Sequence, residues 1–270
     1  MPQSESAYAG AAPELYDRLM VPLLFEPYAA DMAACVAALH PMAVLETAAG
    51  SGAVTRALAP LLARTARYVV TDLNPAMLEQ AKSQQPDDVR IEFRAADALD
   101  LPFPDSSFDV VCCQFGVMFF PDRVKAYRAA LRVLKPGGVF LFNAWDSLNA
   151  NDFARTVNEA VAAYYPLDPE AFRVRTPYSY HDEMRIKADL TAAGFNKISV
   201  QRVPHQSRAP SAQSAALAQC HGTPLRMEIM ARGATDLAPV TAHAEAALTR
   251  RFGTGPITGK MQALVVEARA

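Results

Sequence analysis

Val44-Leu45-Glu46-Thr47-Ala48-Ala49-Gly50-Ser51-Gly52, followed twenty residues after Gly52 by Asp72 at the end of Tyr68-Val69-Val70-Thr71, is the passage from which the fold is read. A short apolar strand runs into a loop of small residues, 48–52, where the main chain can approach a ligand closely because almost no side-chain bulk intervenes. A second apolar strand then ends on a carboxylate. In an open parallel sheet the loops at the carboxyl ends of neighbouring strands share one crevice. Asp72 is therefore placed to accept hydrogen bonds from both hydroxyls of a ribose lying over the loop. The pattern is that of a nucleoside-cofactor site.

A dinucleotide fingerprint, G-x-G-x-x-G, needs a third glycine, and Thr55 stands at that place. The segment instead resembles the first motif of the class I S-adenosylmethionine-dependent methyltransferases, an acidic residue and a variable one before G-x-G-x-G, with Glu46, Ala48, Gly50 and Gly52 at the matching positions. Ala48 replaces the first glycine, a change that a negative φ accommodates. Asp72-Leu73-Asn74-Pro75-Ala76-Met77-Leu78 is similar to the second motif, in which the acid binds ribose and the next apolar residues, here Leu73 and Met77, flank adenine. Asn74 and Pro75 also suit the start of a helix. Ile91 to Ala98 resembles the third, which implies Asp97 for the adenine amino group and the Ala98 N–H for a ring nitrogen.

The phrases Leu101-Pro102-Phe103-Pro104-Asp105-Ser106-Ser107-Phe108-Asp109 and Leu134-Lys135-Pro136-Gly137-Gly138 follow in the family's order. The kind resembled is the small-molecule, type 11 or ubiquinone-menaquinone branch. The resemblance implies an α/β fold: a Rossmann-like, doubly wound, seven-stranded sheet with the last strand antiparallel and helical cap and lid insertions. S-adenosyl-L-methionine is the implied cofactor and S-adenosyl-L-homocysteine its product.

The 270 residues, 51% of them hydrophobic, suffice for a buried parallel sheet. A net charge of −2 gives no general attraction for nucleic acid or anionic membrane. No signal peptide and no run approaching a membrane span is read in the sequence, and the expected compartment is the cytoplasm. Cys35, Cys112, Cys113 and Cys220 lack metal-site spacing, and Cys112 and Cys113 read as small core residues on opposite faces of a strand.

One methyltransferase domain is expected over 1–270, with an N-terminal helical cap over 1–40, a cofactor-binding core over 41–146, and cap or lid insertions over 147–180 and 204–256. Pro22 and Pro27 are expected to break the Glu14–Leu39 periodicity into short helices, and Pro60 to shorten the helix after the glycine loop. Helices are further expected over Pro75–Gln84, Asp122–Leu134 and Met184–Ala193, and strands over Val139–Ala144, Lys197–Val203 and Lys260–Ala268.

The methyl acceptor belongs where the cap pieces meet the loops after strands four and five. Gln114 is assigned to the cofactor's surroundings. Tyr16, Phe115, Met118, Phe119, Trp145 and Tyr178 are candidates for the acceptor wall, with core packing an equal alternative for Phe115, Met118, Phe119 and Trp145. His181 and His221 are the candidates for a base, although methyl transfer from a sulfonium proceeds by alignment and needs no dedicated one. Cys113-Gln114-Phe115-Gly116 carries neither the carboxylates of magnesium-dependent catechol enzymes nor the N/D-P-P-Y/F motif of base-methylating ones, so no metal and no nucleobase are expected. The expected reaction is direct in-line methyl transfer to a small, partly hydrophobic organic acceptor. The alternatives are an NAD(P)-dependent oxidoreductase and a non-catalytic S-adenosylmethionine-binding protein.

Overall fold

The structure, a computed structural model, describes residues 13–165 and 176–270. Seven strands, β1 (Ala43–Glu46), β2 (Arg67–Asp72), β3 (Ile91–Ala95), β4 (Phe108–Gln114), β5 (Leu134–Trp145), β6 (Lys197–Ala209) and β7 (Ile257–Arg269), form one sheet in the order β3-β2-β1-β4-β5-β7-β6. The first five are parallel, and β7 runs antiparallel between β5 and β6. The order reverses between β1 and β4, so the connections leaving these strands diverge and open the crevice in which such sheets bind ligands.

Both faces of the central strands are covered, which is why they read as unbroken apolar runs. Leu45, Val69, Val111, Cys113 and Phe142 enter one core, and Val44, Tyr68, Val70, Cys112 and Leu141 the other. Cys112 and Cys113 thus face opposite sides as expected, and both are free thiols that burial pushes up, Cys113 to about 12.

The two family phrases around β4 and β5 are one mechanical joint. Asp109 accepts the N–H groups of Met42 and Ala43 (2.9 and 2.8 Å) and the Lys135 ammonium (2.7 Å). Arg132 donates to the carbonyls of Leu101 and Phe103, fixing the proline loop. The fifth strand begins at Leu134 rather than Val139, because Phe108 pairs with Leu134 and Val110 with Val139 while residues 135–138 bulge between those pairs.

The helices are α1 (Pro13–Met20), α2 (Glu26–Ala37), α3 (Ala53–Leu58), α4 (Pro75–Gln84), α5 (Arg123–Val133), α6 (Asp152–Tyr164), α7 (Glu183–Ala193), α8 (Ala212–Gly222), α9 (Leu225–Met230) and α10 (Ala238–Phe252). Pro60 ends α3 in a single 3-10 turn, and Gly194, at φ 112°, closes α7.

Pro22 and Pro27 do not break the N-terminal segment. A π-helical turn, Val21–Phe25, joins α1 to α2, with the Glu26 N–H donating to the Val21 carbonyl, and this widened turn absorbs the bond that Pro22 cannot make. The resulting run, Tyr16–Ala37, is long and apolar enough to cross a membrane by length and composition, contrary to the reading from apolar runs; 56% of its apolar 18-residue window is buried within the protein.

β6 also outruns its expected end. It continues through Pro204 to Ala209, paired with β7 as far as Ile257, so the helical excursion starts after Ala209. Pro204 is tolerated because β6 is the sheet's edge.

Candidate functional site

The loop after β1 is held by main-chain bonds to both neighbouring strands. Thr47 N–H donates to the Cys112 carbonyl (2.9 Å) and Ala49 N–H to that of Thr71 (3.0 Å). Gly50 then turns at φ 57° and its N–H donates to Asp72 Oδ2 at 2.8 Å, while Asn74 N–H donates to Asp72 Oδ1 at 2.8 Å. Each Asp72 oxygen thus holds one main-chain donor and keeps a lone pair for another. Burial pushes the Asp72 carboxyl above its ordinary value, with these N–H groups pulling the other way.

Ala48 sits at φ 52°, not at the negative φ its methyl group prefers. The loop closes back toward β2 whichever residue stands there, so alanine is held in the left-handed region at a cost of roughly 1–2 kcal/mol. Its methyl is accommodated by a gap across the crevice: a Cβ at Gly116 would stand 2.6 Å from Ala48 Cβ and 2.7 Å from Cys113 Sγ. Phe115 is also left-handed, at φ 52°, with its N–H donating to Asn143 Oδ1 at 2.8 Å. The connections leaving β1 and β4, the strands at the switch point, therefore both store strain beside the crevice.

Glu46 and Gly52 do not line that crevice. The Glu46 carboxylate is buried behind the loop, where Thr55 donates to it at 2.8 Å and the Tyr68 hydroxyl makes a very short bond. Burial raises it to about 7. It braces the strand-to-helix joint. Thr55, where a dinucleotide site would have its third glycine, is spent on this bond. Gly52 takes φ 82° and permits close packing on α4, since a Cβ there would lie 2.9 Å from Ala81 Cβ.

The crevice holds a cavity of about 630 Å³. Ala48, Gly50, Asp72, Leu73, Met77, Asp97, Ala98 and Gln114 line it, as do Tyr16, Phe115, Met118, Phe119, Trp145 and Tyr178. Phe115 and Trp145 stack at 3.9 Å between ring centres and 12° between planes.

The profile of a methyltransferase domain matches residues 45–142. The ubiquinone/menaquinone biosynthesis C-methyltransferase UbiE of Pseudomonas aeruginosa is 31% identical over 168 residues, 58% of this chain and 66% of that protein. The UbiE of Stutzerimonas stutzeri is 30% identical over 60% of this chain and 68% of its own length. The chain belongs to the class I S-adenosylmethionine-dependent methyltransferases. Among solved structures, the YcgJ protein of Bacillus subtilis shares the fold with a TM-score of 0.55 and 22% identity, covering 88% of this chain and 97% of its own. The chain thus spans just under two thirds of the length of the first of these relatives.

The methyltransferase's loop fits its cofactor chemically: a carboxylate with spare lone pairs at Asp72, a left-handed glycine beside it, and a second carboxylate at Asp97, whose Oδ1 accepts the Leu99 N–H at 2.9 Å. Gln114 lines the cavity and donates to the Phe25 carbonyl at 3.2 Å.

His181 and His221 stand outside the cavity. His181 bonds the Tyr178 carbonyl through Nδ1 at 2.7 Å, and His221 Nε2 lies 3.1 Å from the Thr241 hydroxyl, with burial lowering its affinity for a proton. No histidine, lysine or arginine is among the described residues lining the cavity.

A cap and lid over the crevice are expected from the sequence, but most of their lining residues are not. Met20, Val21, Leu24 and Phe25 from the cap, and Gln219, Thr223 and Pro224 from the excursion after β6, complete the enclosure. The cap is fastened to the loop through Asp17, which accepts from Ser51 Oγ (2.7 Å) and from Arg56 (2.8 Å). The cap and lid touch where Gly222 meets Met20, a Cβ there being only 2.7 Å from Met20 Cγ. The helical face carrying Gln219 and Thr223, spaced four apart, was the one available signal.

Proposed function

We propose that this methyltransferase moves a methyl group from S-adenosyl-L-methionine to a small, aromatic, uncharged organic acceptor by in-line displacement. One observation carries this reading: a single cavity joins the Asp72 and Gly50 loop to a wall built from Phe115, Trp145, Phe119 and Tyr178. The bound cofactor supplies a sulfonium-activated methyl carbon. Asp72 accepts from the ribose hydroxyls, Asp97 and the Ala98 N–H face the adenine edge, and Leu73 and Met77 flank the ring.

At the acceptor end the protein contributes orientation and the exclusion of water. Among the described residues lining the cavity, no histidine or lysine stands ready as a general base. The acceptor therefore brings its own nucleophilicity, as a phenol or an electron-rich ring carbon does, and loses its proton to solvent as the methyl group is transferred. The quinone chemistry in the names of the UbiE relatives belongs to this class, and we extend it here as a substrate class. We place the protein in the cytoplasm, acting without metal and on small molecules rather than nucleic acid. The free thiols at positions 35, 112 and 113 agree with a reducing compartment.

The test is calorimetric titration with S-adenosylhomocysteine and with NADH, followed by transfer of labelled methyl from S-adenosylmethionine to a panel of phenols and hydroquinones. Binding of the adenosyl ligand alone and labelling of panel members are expected. Binding of NADH alone would support the oxidoreductase, and cofactor binding with no labelling would support a non-catalytic binder.

A further inference from the structure

We infer that Gln219 is the side chain by which the lid recognises the acceptor, donating a hydrogen bond from Nε2 to a carbonyl or phenolic oxygen of an aromatic ligand without fixed charge. This rests on the methyl-transfer reading of the same cavity. Gln219 lies on α8, is 1% exposed, lines the cavity, and its Nε2 is buried with no hydrogen-bond partner. A buried amide donor left unpaired costs stability, and native proteins retain few of them.

The nearest polar group on the same helical face does not relieve it. The Thr223 hydroxyl donates to the main-chain carbonyl of Gln219 at 2.7 Å and accepts the Leu225 N–H at 3.2 Å. The close approach of Gly222 to Met20, three residues on, holds the α8 main chain against the cap. The amide itself is free to turn about its side-chain torsions, which brings the buried Nε2 to a wall otherwise dominated by aromatic and aliphatic groups.

An oxygen acceptor on a flat apolar ligand satisfies this donor, while the stacked Phe115 and Trp145 rings accept the ligand's face. An anion such as a phosphate ester is disfavoured, since no cationic side chain lines the described cavity. A site that holds an unpaired donor discriminates sharply against a ligand lacking the matching oxygen, since that ligand leaves the donor buried and unmet.

A matched pair of probes tests this: 1-tetralone and tetralin, which differ in one carbonyl oxygen, titrated into protein saturated with S-adenosylhomocysteine. Trp145 is the only tryptophan and lines the cavity, so its fluorescence reports occupancy beside the calorimetry. The expected result is a preference of about tenfold or more for the ketone, abolished in Gln219→Met through weaker ketone binding with tetralin unchanged. Gln219→Leu, which keeps much of the volume and has no donor at any pH, serves if the methionine variant does not fold, and predicts the same loss. Equal binding of the two probes, binding of neither, or an intact preference in the variants overturns the inference while cofactor binding leaves the methyl-transfer reading standing. Failure of the wild-type protein to bind S-adenosylhomocysteine overturns the underlying reading instead.

Discussion

Ser51, in the cofactor loop, donates its hydroxyl hydrogen to Asp17, on the first helix, at 2.7 Å. Through this bond the roof of the cavity is fastened to its floor, and Arg56 reinforces it by bonding both Asp17 and the Ser51 carbonyl. Asp17→Ala removes the latch without touching the cavity wall. Losing about 1 kcal/mol of closure weakens S-adenosylhomocysteine binding about fivefold, mostly through faster release. Stopped-flow dissociation measures it; an unchanged rate would show that the cap is held by apolar packing alone.

Asp72→Asn is predicted to be severe despite its equal size. Both carboxylate oxygens accept main-chain N–H groups, so whichever position the amide NH₂ takes, it faces Gly50 or Asn74 donor to donor. We expect S-adenosylhomocysteine affinity to fall by about 100-fold or more, two charge-assisted bonds being worth about 3 kcal/mol together. A calorimetric titration retaining wild-type affinity would remove Asp72 from the ribose site.

Glu46 sets a pH dependence of stability. Its folded value, about 7, lies above the ordinary 4.5, so the folded state holds the proton more tightly than the unfolded chain. Stability is therefore greatest below about pH 4.5 as far as this group is concerned. It declines as pH rises to about 7 and is level beyond, a total near 3 kcal/mol. Glu46→Gln can still accept the Thr55 and Tyr68 hydroxyls and is expected to flatten this slope. Urea unfolding at pH 5 and pH 8 measures the difference, and parallel pH profiles for the two proteins would count against a protonated Glu46.

Gly116 and Ala48 share too little space for two methyl groups. Gly116→Ala should destabilise by about 2 kcal/mol through overpacking, and Ala48→Gly should stabilise by about 1 kcal/mol by relieving the left-handed alanine. The double variant should recover only part of the loss, because Cys113 Sγ still stands 2.7 Å from the added Cβ. A double-mutant cycle in urea reads the coupling. Strict additivity would mean that the two loops move apart freely.

What the sequence disclosed follows from how local each cause is. Asp72 and Gly50 were legible because a strand end, a small-residue loop and a carboxylate are all short-range patterns. The role of Glu46 was not, since it depends on Thr55 and Tyr68, nine and twenty-two residues away, converging behind the loop. His181 and His221 were chosen for being histidines in the cap-like regions, and packing turned both away from the cavity. Gln219 was hidden in an alanine-rich helix whose inward face is decided by its packing against α1, α6 and α10. The prolines misled because the rule that they end helices presumes α-helical bonding, which the π turn at Val21–Phe25 replaces.

The long pairing of β6 with β7 brings Ala209 and Ile257 side by side at the two mouths of the segment 210–256. The pairing closes that excursion once, and the entropy of closure grows only slowly with its length, so added or removed residues there cost little. Selectivity for the acceptor can drift, or be grafted from another enzyme, as a cassette clipped into a ready-made socket, with the donor-binding half of the protein left as it was.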